Sequence, residues 1–163
     1  MKRIVTGISL IMLTLNLAHA QEGKSSKPLL DRSEISIGGG IARNSIDTPF
    51  GDFTETGVQF FAAYDLNRVN IMQGVNSSVE LGYMDYGFAR GDSGGLWVTG
   101  VIDGAIQNNF GWLARLGLDL GDDSGIMFGA GVSFGINRQM DLRGEYIIRD
   151  DIDSLQINLI FHL

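Results

Sequence analysis

The stretch Phe110–Ile136, FGWLARLGLDLGDDSGIMFGAGVSFGI, decides the fold. Phe110, Trp112, Ala114, Leu116, Leu118 and Leu120 alternate with Arg115, Gly117 and Asp119. Asp122-Asp123-Ser124-Gly125 then supplies turn chemistry. After it, Ile126, Phe128, Ala130, Val132 and Phe134 alternate with Gly129, Gly131, Ser133 and Gly135. A period of two is a strand with two unlike faces, and two such runs joined by a short turn make an antiparallel hairpin.

Working outward, the same pattern recurs from Glu34 to Leu163, and nothing there repeats at helical period. It predicts eight strands, at Glu34–Arg43, Glu55–Leu66, Asn76–Gly87, Leu96–Ile106, Phe110–Leu120, Ile126–Ile136, Asp141–Arg149 and Ser154–Leu163. The fourth is the least regular: Leu96, Val98 and Ile102 share a face while Val101 lies on the other. Asn44–Thr54, Phe88–Gly95, Gly121–Gly125 and Asp150–Asp153 read as connections at one end. Asn67–Val75, Gln107–Asn109 and Asn137–Gln139 read as connections at the other. Connections this short join antiparallel neighbours, because a parallel crossover needs a dozen residues or more. The expected fold is therefore all-β, an eight-stranded antiparallel up-and-down barrel, closed so that no edge is left unpaired.

Alternation does not say which face is inside. A soluble ligand-binding barrel of the periplasm would turn the apolar face inward, and a transmembrane barrel turns it outward. Three features favour the membrane. No lysine follows Lys27, although the wet outer face of a soluble barrel usually carries lysine. The polar face is built from Gly, Ser, Asn and Gln with charges of both signs, which suits a narrow lumen filled by side chains. Tyr64, Tyr83, Trp112, Phe134, Tyr146 and Phe161 lie on the apolar face near strand ends, like the aromatic girdles at a membrane interface.

The N-terminus agrees with export. Met1-Lys2-Arg3 is a basic start, Ile4–Leu17 is uncharged and apolar, and Ala18-His19-Ala20 fits a cleavage site. Residues 1–20 thus read as a cleaved signal peptide, 21–33 as a polar periplasmic linker and 34–163 as the barrel. Without Lys2 and Arg3, ten basic residues face nineteen acidic ones, a net charge of about −9. That balance offers no footprint for nucleic acid. There is no cysteine, which excludes a lipoprotein anchor, disulfides and thiolate chemistry.

The segments GWLARLGLDLG (111–121), FGAGVSFGINRQMDLRGEY (128–146) and VELGYMDYG (79–87) resemble the small outer-membrane β-barrel family typified by OmpX, Ail and the OmpA membrane domain. The likeness is one of pattern over about 130 residues rather than of an invariant motif. One departure is the end of the chain: such barrels often finish in Phe, and here Phe161 is followed by His162 and Leu163. The resemblance implies localisation in the outer membrane, both termini in the periplasm and the Asn44–Thr54 end outside. Its implied partners are outer-membrane lipid, lipopolysaccharide and, during insertion, the assembly machinery. The expected state is a monomer.

Glu34, Glu80, Arg115, Asp119, Arg143 and Glu145 are the expected lumen polar network. A mutually paired plug suits such charges better than an ion path, because an eight-stranded lumen is filled. Catalytic residues, cofactors and metals are not expected. Some small outer-membrane barrels are lipid A deacylases or acyltransferases, and a deacylase needs a serine, a histidine base and an acidic orienter. His162 is the single histidine of the mature chain, at the end away from the outer leaflet, with Ser36 or Ser133 able to approach it in space. It reads as an ordinary lumen histidine. The acidic residues of the outward connections, Asp47, Asp52, Asp92, Asp122, Asp123, Asp150, Asp151 and Asp153, lack calcium-loop spacing and read as a solvated rim. The expected function is that of a non-enzymatic barrel serving envelope integrity or surface interaction. The alternatives are a lipid-modifying enzyme and the soluble ligand-binding barrel.

Overall fold

The computed structural model of the protein describes residues 31–48, 51–66, 72–88 and 94–163. The expected signal peptide and most of the linker lie outside these residues. A short 3-10 turn, Arg32–Glu34, leads into eight strands: β1 (Ile35–Thr48), β2 (Gly51–Asp65), β3 (Val75–Asp85), β4 (Gly94–Gln107), β5 (Phe110–Asp119), β6 (Gly125–Gly135), β7 (Met140–Ile148) and β8 (Ile152–His162). Every neighbour is antiparallel, and β8 returns to β1 through pairs running from Ser36–His162 to Ile46–Ile152. The sheet is thus a closed up-and-down barrel without a free first or last strand.

Alternation sorts each strand into an outward apolar row and an inward row. Along β8, Leu155, Ile157, Leu159 and Phe161 are exposed while Ser154, Gln156, Asn158 and Ile160 are buried. The outward row is broadly apolar around the barrel, with Phe60 69%, Leu116 64% and Ile126 63% exposed. A continuous apolar belt of this kind cannot be left in water, and it is the polarity of a barrel that faces lipid.

The interior is narrow, and small residues make room for large ones. The Phe61 and Trp97 rings lie 5.7 Å apart in the lumen. A Cβ at Gly82 would fall 2.4 Å from a Trp97 ring carbon, and one at Gly38 would fall 2.3 Å from the Phe61 ring. The irregularity of the fourth strand has the same origin. Trp97 and Val101 are apolar residues that point into the lumen beside Thr99, so apolar residues occur on both faces of β4. A register shift between Ala105 and Gln107 adds a bulge near its end.

Several boundaries differ from the sequence reading. Asn44–Thr54 is largely strand: β1 and β2 stay paired as far as Thr48–Gly51, and Asn44 is a buried lumen residue. On the β2 side residues 51–56 are exposed on both faces, so alternation vanishes there although the ladder continues. Gly94, Gly95, Gly125, Ile152 and Asp153 belong to strands as well, as do Val75 and Gln107 at the other end.

Candidate functional site

The lumen holds three polar layers stacked along the axis. The central one is made by the inward positions of β3, β5 and β7. Arg115 Nη2 lies 2.9 Å from Glu80 Oε2 and 2.7 Å from Glu145 Oε2. Arg143 Nη1 donates to Glu80 Oε1 at 2.6 Å and stands 3.7 Å from Glu145 Oε1. Two carboxylates therefore meet two guanidiniums, and the group is neutral as a whole. The register explains the meeting: Arg143 pairs in the sheet with Ser133 and Asn158, while Glu145 sits opposite Gly131 and Gln156. Gly131 leaves space for the Glu145 stem. Cation–ring contacts fix the guanidiniums further, Arg115 at 5.4 Å from Trp97 and Arg143 at 6.0 Å from Phe61. Gln59 donates to Gln156 at 2.6 Å and to Asn158 at 2.7 Å, and Asn158 donates to Glu145 at 3.2 Å.

The second layer closes the end near the β3–β4, β5–β6 and β7–β8 connections. Arg149 Nε and the Tyr86 hydroxyl both donate to Asp119 Oδ2, at 2.9 and 2.5 Å. Arg149 also donates to Ser154, which donates to Asn44, whose amide donates to the Tyr86 carbonyl. Tyr86 lies just past the end of β3, and burial together with the Asp119 hydrogen bond pushes its phenol well above the usual range, so it remains a donor. Met84, Met127, Ile147 and Ile152 pack around this layer. In the β5–β6 connection, Asp123 accepts the backbone N–H groups of Asp151 at 2.9 Å and Ile152 at 3.0 Å, tying two connections together. Burial raises the Asp123 carboxyl above its ordinary value against the pull of those donors.

The third layer is open. At the end carrying both strand termini, Ser36, Asp65, Asp103, Asp141, Arg143 and His162 line a polar cavity of about 330 Å³. Within it Ser36 Oγ is 2.8 Å from His162 Nδ1, and His162 Nε2 is 2.8 Å from Asp141 Oδ2.

The expected network is thus divided. Glu80, Arg115, Arg143 and Glu145 are brought together. Asp119 belongs to the separate layer built on Arg149 and Tyr86. Glu34 stays outside the lumen clusters: it lies in the 3-10 turn and accepts the Tyr64 hydroxyl, because the chain has left the strand by that point. Of the aromatics, Tyr83 and Tyr146 lie toward the Asp85 and Ile148 ends of β3 and β7. Tyr64, Trp112, Phe134 and Phe161 lie toward the terminal end. Tyr83, Phe134, Tyr146 and Phe161 are exposed, and Trp112 rests over Gly104. Trp97 and Tyr86 are lumen residues that sequence reasoning passed over, and Arg149, on the polar face of the expected seventh strand, was left out of the expected network. Their only signal was an inward position in the alternation. Among the described residues no group of His, Cys, Asp and Glu is arranged to hold a metal ion.

No family model matches the chain, and no curated protein matches it. Solved structures do. Neisserial surface protein A is 16% identical, with 80% of this chain and 98% of that one covered, at a TM-score of 0.53. Ail, the attachment invasion locus protein of Yersinia pestis, solved in complex with the heparin analogue sucrose octasulfate, is 14% identical, with 77% and 94% covered and a TM-score of 0.52. A de novo designed transmembrane β-barrel is 14% identical, with 83% and 100% covered, at 0.54. At identities this low the likeness is one of architecture, and the strand count, closure and inverted polarity agree with it: the chain has the fold of the small eight-stranded outer-membrane β-barrels.

Proposed function

We propose that this chain is an outer-membrane barrel whose lumen is plugged by its own side chains, a sealed element of the envelope or its surface rather than a diffusion pore. The observation that carries the reading is the neutral Glu80–Arg115–Glu145–Arg143 cluster at mid-lumen, three of whose side chains are at most 1% exposed. A second closure by Asp119, Tyr86 and Arg149 lies beyond it. A filled eight-stranded lumen has no continuous water path. The apolar belt supports lipid, including lipopolysaccharide, as the partner of the outward face. Export by the N-terminal signal, insertion by the assembly machinery, periplasmic termini and a monomeric state complete the reading. The soluble ligand-binding barrel is disfavoured by a lumen lined with charges and amides. Chemistry on outer-leaflet lipid is disfavoured because the one histidine among the described residues sits at the terminal end, far from the outward connections.

The test is reconstitution. Liposomes carrying the folded protein should stay impermeable to small sugars, with no channel steps in planar bilayers. Sugar-driven swelling at a rate proportional to protein content would contradict the plug.

A further inference from the structure

The open layer contains a constellation that the sealed-barrel reading does not use. Ser36 and His162 are directly paired across β1 and β8, and Asp141 lies on β7 beside the end of β8. All three project inward. The Asp141 carboxylate, 2.8 Å from Nε2, holds the ring proton on that nitrogen. Nδ1 is then the free base, and it faces the Ser36 hydroxyl at 2.8 Å. This is a nucleophile, a base in hydrogen-bond reach and an acidic group that sets the base's tautomer. His162 and Asp141 keep 41% and 33% of their side-chain surface, so water reaches the base. Arg143 lines the same cavity and brings a positive charge to its wall, where it can act on developing negative charge.

We propose that the terminal-end mouth of the barrel is a serine-hydrolase site for short acyl esters that enter from the aqueous side. Ser36 Oγ forms a bond to the ester carbonyl carbon while its proton passes to His162 Nδ1. The positive charge of Arg143 in the cavity wall offsets the resulting oxyanion. The bond to the alcohol breaks as His162 returns the proton to it. Water, deprotonated by the same nitrogen, then cleaves the acyl-serine, releases the carboxylic acid and restores the Ser36 hydroxyl. A cavity of about 330 Å³ accommodates a small acyl group and not a lipid. Asp65 and Asp103 on its wall select neutral or cationic esters over anionic ones. Asp141 is a positioning residue in this scheme.

The test uses the full folded barrel in detergent, with folding checked by heat-dependent gel mobility. It is treated with a neutral fluorophosphonate probe and assayed in parallel for p-nitrophenyl butyrate hydrolysis. The expected result is a probe adduct mapped to Ser36 by peptide mass, absent in Ser36→Ala. His162→Ala should slow labelling by about a hundredfold or more. Ser45→Ala, an outward serine near the other end of β1, should behave as the parent. Folded parent protein without an adduct at Ser36 overturns the proposal. So does ester hydrolysis undiminished in Ser36→Ala, or labelling undiminished in His162→Ala. The adduct in the parent protein needs no variant to fold.

Discussion

Replacing Arg115 by Met tests whether the central cluster is a coupled plug. Arg115 Nη2 stands between Glu80 at 2.9 Å and Glu145 at 2.7 Å, and its side chain is 1% exposed. Met keeps most of the apolar stem and removes the charge. Two buried carboxylates are then left with one guanidinium, Arg143, which is 2.6 Å from Glu80 but 3.7 Å from Glu145. Glu145 carries most of the deficit. Removing one partner of a buried ion pair costs about 3–5 kcal/mol, mostly as the penalty of the stranded charge. The cation over the Trp97 ring is lost too, adding about 0.5–2 kcal/mol. Glu145→Gln in the same chain restores neutrality, so the double variant should regain roughly 1–3 kcal/mol relative to the sum of the singles. Urea unfolding from lipid vesicles, followed by tryptophan emission, measures both numbers. Trp97 reports on the cluster itself. If Arg115→Met costs less than about 1 kcal/mol, or if the two substitutions are simply additive, the four groups are not coupled and the plug argument fails.

Leu116 lies midway along β5 on the outward face, so Leu116→Arg should destabilise the bilayer-inserted barrel by about 2–4 kcal/mol, whereas at a water-facing position the change would stay within roughly 0.5 kcal/mol. Vesicle unfolding titrations separate the two. Gly82→Ala places a Cβ 2.4 Å from the Trp97 ring and 2.8 Å from Phe61 Cβ, and should cost about 1–3 kcal/mol in the same titration, with a shifted tryptophan emission. Asp123→Ala strands the N–H groups of Asp151 and Ile152. It should cost about 1–3 kcal/mol and speed hydrogen exchange at those two amides while leaving the mid-lumen amides protected.

The architecture was legible because lipid and lumen impose opposite demands on alternate residues, and Phe110–Ile136 displays that opposition without interruption. Where the opposition lapses, the reading lapsed with it. At Asn44–Thr54 Ile46, Phe50 and Phe53 are scattered among polar residues without a sustained period of two, so a paired extension looked like a loop. In β4 the lumen itself takes Trp97 and Val101, so apolar residues on both faces hid the period. The composition of the lumen was readable residue by residue, but its grouping was not. Whether Asp119 meets Arg115 or Arg149, and whether His162 meets Ser36 or Ser133, depends on strand register and shear, which fix heights along the axis. Alternation reports only the side of the sheet. Glu34 shows the same limit at a strand end, where one step of chain turns an expected lumen carboxylate toward the outward hydroxyl of Tyr64.

The central claim is that this chain is a closed barrel with its apolar face in the outer membrane. Gel mobility of the detergent-extracted outer-membrane fraction, with and without heating, tests it most directly. The protein should be in that fraction, and unheated and heated samples should migrate differently, because a closed ladder resists dodecyl sulfate until heated. Recovery in the soluble periplasmic fraction with one mobility at all temperatures would mean that the apolar belt does not face lipid.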